Sequence, residues 1–105
     1  MNEPIRIRAT LQGDVADVRV RMAHPMETGL RKDADGRLVP IHYIRTFIAR
    51  LNGTVVFEAQ TSQAISRNPV FGFKLTGAKA RDKLAVTWQD SRGESRTDEV
   101  LIGGS

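Results

Sequence analysis

Apolar and polar residues alternate one for one in Ile5-Arg6-Ile7-Arg8-Ala9-Thr10-Leu11, and again in Val18-Arg19-Val20-Arg21-Met22. A period of two puts every second side chain on the same face of an extended strand, so each run can bury one face and wet the other. A helix would scatter the same apolar residues around its circumference. Gly13-Asp14 supplies a turn between the runs. They are therefore expected to pair antiparallel, apolar face inward and arginine face outward.

The same period governs the rest of the chain. Residues 41–51, IHYIRTFIARL, are rich in β-branched and aromatic side chains and run into Asn52-Gly53, followed by Thr54-Val55-Val56-Phe57-Glu58-Ala59. Asn-Gly between two apolar runs predicts a β-hairpin, because both turn positions need positive φ. In strict alternation Tyr43, Phe47, Ala49 and Leu51 share the core face, which leaves Ile44 and Ile48 facing outward. Phe71, Phe73 and Leu75 alternate with polar or small residues, as do Leu84, Val86 and Trp88, and a last strand covers roughly residues 95–102. Residues 60–69 read as one helical turn or a crossover between sheets, and Gly103-Gly104-Ser105 as a flexible end. Seven or eight short strands without a long helix predict an all-β domain, an immunoglobulin-like antiparallel β-sandwich spanning residues 1–105. Trp88 should lie in the core, with its ring N–H in need of a partner.

Composition removes several chemistries. The chain of 105 residues has no cysteine, so disulfides, thiolate metal sites and cysteine nucleophiles are excluded. His24 and His42 are the only imidazoles, too few for a three-histidine metal site. The net charge is +4, and the 16 basic residues are spread evenly, nine in residues 1–50 and seven in 51–105, each half also carrying six acids. No basic run is interleaved with aromatics, which argues against nucleic acid as a partner. No apolar stretch approaches the ~20 residues that span a bilayer, and the N-terminus lacks the apolar segment of a secretory signal, so no membrane partner is expected.

Residues 24–40, HPMETGLRKDADGRLVP, form a polar loop that is long for so small a domain. His24 beside Glu27 could act as a proton donor or a weak metal ligand, with His42 as a second imidazole, but the spacing favours a loop histidine that bonds local backbone. Asp33-Ala34-Asp35-Gly36 lacks the further acids of a calcium loop and reads as a β-turn. No serine or threonine sits in a nucleophile turn. The residues thus favour a non-enzymatic β-domain without cofactor. A small β-sandwich enzyme using His24 and Glu27 and a nucleic-acid-binding β-domain are the alternatives. The outward pair Ile44 and Ile48, with the loop residues His24, Pro25, Met26, Glu27 and Arg31 leading into it, is the expected partner-binding surface.

The string His24-Pro25-Met26-Glu27-Thr28-Gly29-Leu30-Arg31-Lys32-Asp33 resembles the signature of the Z subunit of the sulfur-oxidation (Sox) carrier complex. The similarity continues through Asn52-Gly53, Val56-Phe57-Glu58-Ala59, Ala64-Ile65-Ser66-Arg67-Asn68-Pro69, Phe71-Gly72-Phe73 and Thr87-Trp88. The resemblance implies an immunoglobulin-like, non-catalytic subunit that forms a heterodimer with a Y subunit. The Y subunit carries thiosulfate-derived sulfur on the cysteine of its C-terminal arm. The resemblance also implies transient docking to other Sox enzymes, and a periplasmic location reached by export with a signal-bearing Y subunit.

Overall fold

In the computed structural model, which describes residues 3–61, 65 and 67–103, seven strands form two antiparallel sheets. The first contains β1 (Arg6–Gln12), β2 (Val15–Arg21) and β5 (Val70–Thr76), in the order β1-β2-β5. The second contains β3 (Ile44–Leu51), β4 (Thr54–Gln60), β6 (Lys83–Asp90) and β7 (Ser95–Leu101), in the order β4-β3-β6-β7. No helix occurs among the described residues. This is the expected all-β, immunoglobulin-like sandwich. The turn or crossover expected at 60–69 includes Ser62, Gln63, Ala64 and Ser66, which lie outside the described residues, as do Gly104 and Ser105 of the expected flexible end.

Both short hairpins follow from their turn residues. Gln12 pairs with Val15 across Gly13-Asp14, and Leu51 pairs with Thr54 across Asn52-Gly53. Asn52 and Gly53 have φ of 51° and 89°, the left-handed pair that a two-residue hairpin of this twist requires. The alternating faces close into one core in which Val18, Val20, Met22, Phe47, Ala49, Leu84 and Val86 are fully buried. Each large aliphatic or aromatic side chain there contributes about 1.5–3 kcal/mol by leaving water. Two ring stacks join the larger sheet to β5: Phe57 of β4 on Phe73 at 4.6 Å and Phe47 of β3 on Phe71 at 4.9 Å.

Two irregularities in β3 and β4 break the strict alternation. Opposite β6, Ile44 pairs with Asp90 but Thr46 pairs with Gln89, so Arg45 is an extra residue. Opposite β3, Phe57 pairs with Ala49 but Val55 pairs with Arg50, so Val56 is an extra residue on β4. A bulge shifts the side-chain phase by one position. The first bulge overturns the outward placement of Ile44: that side chain is fully buried in the core together with Phe47 and Ala49. Ile48, beyond the bulge, does point to the outer face of the larger sheet and is half-buried there, in register with Glu58 and Thr87.

The long loop is tied at two places, by isolated bridges Glu27–His42 and Lys32–Leu38. Its tip is the expected turn: Asp33 Oδ1 accepts the N–H groups of Asp35 and Arg37, and Gly36 takes a φ of 79°.

Candidate functional site

At the end where the long loop re-enters the sandwich, His24, His42 and Asp90 meet. His24 follows β2, His42 precedes β3, and Asp90 ends β6. The two imidazole centroids are 4.5 Å apart. Both rings turn Nε2 to the same carboxylate oxygen, His24 at 3.1 Å and His42 at 2.7 Å from Asp90 Oδ2. The other oxygen, Oδ1, accepts the backbone N–H groups of Arg92 and Glu94 at 3.0 and 2.9 Å, closing the β6–β7 turn. One side chain thus holds a hairpin turn and both histidines, with four bonds to its two oxygens.

The backbone fixes the His24 tautomer. The Met26 N–H donates to His24 Nδ1 at 3.1 Å, so that nitrogen carries a lone pair and the ring proton is on Nε2, aimed at Asp90. Burial favours the neutral imidazole and lowers the pKa of His24 from its ordinary 6.5, outweighing the Asp90 hydrogen bond that pulls the other way. For Asp90, burial alone would raise the pKa, but hydrogen bonds from His24, His42 and two backbone amides bring it below 3.8. Donor atoms of the three residues lie within 4.8 Å of one another, close enough for a cation. The proton on His24 Nε2 makes that nitrogen a hydrogen-bond donor instead of a metal ligand. To bind a cation it would have to break the Met26 bond or lose a proton from a neutral ring. The donor set therefore suits a hydrogen-bonded hub.

The sequence placed Glu27 beside His24. Instead, Glu27 forms an ion pair with Arg31, whose Nε donates to Oε1 at 3.0 Å and which holds the carboxyl below its ordinary pKa. The third member of the hub, Asp90, was legible only as the first residue of a turn. Trp88 is buried as expected, yet its Nε1–H finds no acceptor among the described residues; the His24 ring packs edge-on against the indole at 5.3 Å.

Of the expected partner-binding residues, His24, Met26 and Ile44 are buried in the chain's own core. Met26 Sδ even accepts the Ile44 N–H at 3.3 Å. Their exposure is thus corrected: the loop sequence is distinctive because it packs the inside. Pro25, Glu27, Arg31 and Ile48 reach the surface. Ile48 lies in a cross-strand row Glu58–Ile48–Thr87–Thr97 on the outer face of the larger sheet, flanked by Ala85. Ala85 lies between Arg50 and Glu99 on the same face, and the Thr87 and Thr97 hydroxyls bond to each other at 2.8 Å.

The family described as sulphur oxidation protein SoxZ matches residues 5–101, from the start of the first strand to the end of the last. The chain belongs to the SoxZ family. The matched SoxZ region contains all three hub residues and the whole long loop. A comparison with curated proteins finds no match. Among solved structures, an oxidised superoxide reductase is similar with a TM-score of 0.69 at 17% identity, over 96% of this chain and 88% of that one. A superoxide reductase (neelaredoxin) of Ignicoccus hospitalis gives 0.66 at 16%, over 96% and 79%. A hypothetical protein of Pyrococcus horikoshii gives 0.67 at 18%, over 96% and 88%. At these identities the likeness is one of fold, and this SoxZ sandwich shares their architecture.

Proposed function

We propose that the chain is the non-catalytic binding subunit of a two-part sulfur carrier. In this reading it forms a heterodimer with a Y subunit whose C-terminal cysteine arm carries thiosulfate-derived sulfur, and it docks transiently to the enzymes that process that sulfur. The SoxZ match across residues 5–101 carries the reading. The cysteine-free composition agrees with it, since the sulfur would need a thiol on another chain. The hub supports it too: His24 is buried, and both of its ring nitrogens are engaged within the chain, which leaves no free lone pair for proton abstraction from a substrate. The outer face around Ile48, with the exposed Pro25 and Arg31 and the partly buried Glu27, is the candidate surface for the Y subunit. Under the same reading the heterodimer works in the periplasm, exported folded on a signal carried by the Y subunit.

Co-expression with the Y-type subunit of the same genome tests this. A stable one-to-one complex is expected, and intact mass after exposure to thiosulfate and a Sox oxidising system should place the sulfur adduct on the partner. No complex, or an adduct on this chain, would overturn the reading.

A further inference from the structure

The first sheet brings together arginines that the sequence keeps apart. In the β1–β2 pairing Arg6 lies opposite Arg21 and Arg8 opposite Arg19. All four are exposed on the sheet's outer face. Positions two apart on a strand are separated by about 6.5–7 Å, and directly opposed residues have Cβ atoms about 4.5–5.5 Å apart. The result is a two-by-two grid of arginine positions on one face. Like charges directly opposite one another destabilise a sheet. Asp17 lies 3.9 Å from Arg19, and Glu3 borders a neighbouring depression with Arg6 and Arg21. Among the described residues, Arg6, Arg8 and Arg21 form no ion pair. At the end of the Arg8–Arg19 row stands Gly72, and a Cβ added there would lie 3.7 Å from both Cδ and Nε of Arg19. The Arg19 side chain therefore lies over the bare backbone of β5. At the end of the other row stands Val70, 55% exposed. Grid and valine border an open depression of about 800 Å³.

We propose that this face is a docking surface for an acidic protein segment that presents two or more carboxylates at strand-like spacing. The grid offers paired planar forks, the geometry that receives carboxylates bidentately. Val70 adds an apolar contact at its edge. The face carries no aromatic side chain on which a nucleobase could stack, which disfavours single-stranded nucleic acid. The depression is open, unlike the enclosed polar cradle that selects a small oxyanion. It lies on the opposite sheet from Ile48, so with a Y subunit on the Ile48 face, as proposed above, an acidic partner could engage while that subunit is bound.

The test uses the full chain as purified, with any bound subunit retained, and a hexaglutamate peptide as probe. Amide shifts in a nuclear magnetic resonance titration should concentrate in β1, β2 and β5, and fade as salt rises. Arg8→Gln with Arg19→Gln should weaken binding at least ~10-fold, which is about 1.4 kcal/mol. The charge-matched control, Lys32→Gln with Arg37→Gln in the loop, should change it less than about twofold. The grid variant should also melt higher than the parent, because it removes an opposed like-charge pair. Equal losses in both variants, or shifts elsewhere, would overturn the proposal. So would tighter binding of an oligothymidylate of equal charge, or full competition by sulfate at matched ionic strength.

Discussion

His42 Nε2 lies 2.7 Å from Asp90 Oδ2, although 48 residues separate them in sequence. Together with His24 on the same oxygen, this contact ties the entrance of β3 to the end of β6 and to the exit of β2. The three elements come from both sheets, so the hub works as a polar staple at one end of a largely apolar sandwich.

Removing the staple's acceptor should cost more than most single substitutions. Asp90→Ala leaves two imidazole N–H groups and two backbone N–H groups without their carboxylate, and is expected to destabilise the fold by about 3–5 kcal/mol in urea titration. Asp90→Asn should not rescue it fully. Its amide can still accept from the turn, but turns N–H toward the N–H of His24, whose tautomer Met26 fixes. A loss of about 1–3 kcal/mol is expected.

Acid should loosen the domain, and the sign follows from His24. Its pKa is lower folded than unfolded, so the unfolded chain binds more protons in the interval below 6.5. The stability it contributes is complete above 6.5 and lost as pH falls below that value. Asp90, also depressed, acts in the same direction below 3.8. Tm measured by circular dichroism should therefore fall between about pH 7.5 and about pH 5. His24→Gln should flatten that slope; an unchanged slope would remove His24 as its source.

Ile44 and Ile48 should behave oppositely. Ile44→Asp puts a charge into a fully buried position and is expected to prevent folding. Ile48→Lys, on the outer face beside Glu58, should leave the strand content intact. If the Y subunit covers this face, it should also weaken the heterodimer at least ~100-fold, about 2.7 kcal/mol. Normal binding by a folded Ile48→Lys protein would move the interface elsewhere.

The Asn52-Gly53 turn offers a local test. Asn52 holds a positive φ, and its side chain bonds the Lys83 N–H at 2.9 Å and Asp82 at 3.2 Å. Asn52→Ala loses both bonds and strains the turn, and should cost about 1–2 kcal/mol in equilibrium unfolding. Asn52→Gly should cost less, because glycine keeps the backbone free.

Most of the sandwich was legible because period-two patterning and turn residues are local signals. Arg6–Gln12 and the Asn52-Gly53 hairpin fall where alternation puts them. Ile44 was misplaced because a bulge is one extra residue decided by pairing with another strand, and nothing local in Ile44-Arg45-Thr46 announces it. The hub was half legible. Two histidines invite the thought of a meeting, but their companion is 48 residues beyond His42 and looks like an ordinary turn residue. The arginine grid needs the register itself, since alternation gives each strand its face but not which arginine opposes which.

The bulge at Val56 bears on how this chain survives in a crowded compartment. β4 is an outermost strand, and Val55 and Val56 are 49% and 38% exposed. A straight rim bearing two such side chains would offer a ready template on which a second molecule could extend the sheet and start a fibre. The extra residue bends that rim and puts its amide groups out of step, so a newcomer meets an irregular ladder. The bulge thus works against edge-to-edge pairing at a margin that keeps two greasy side chains in water.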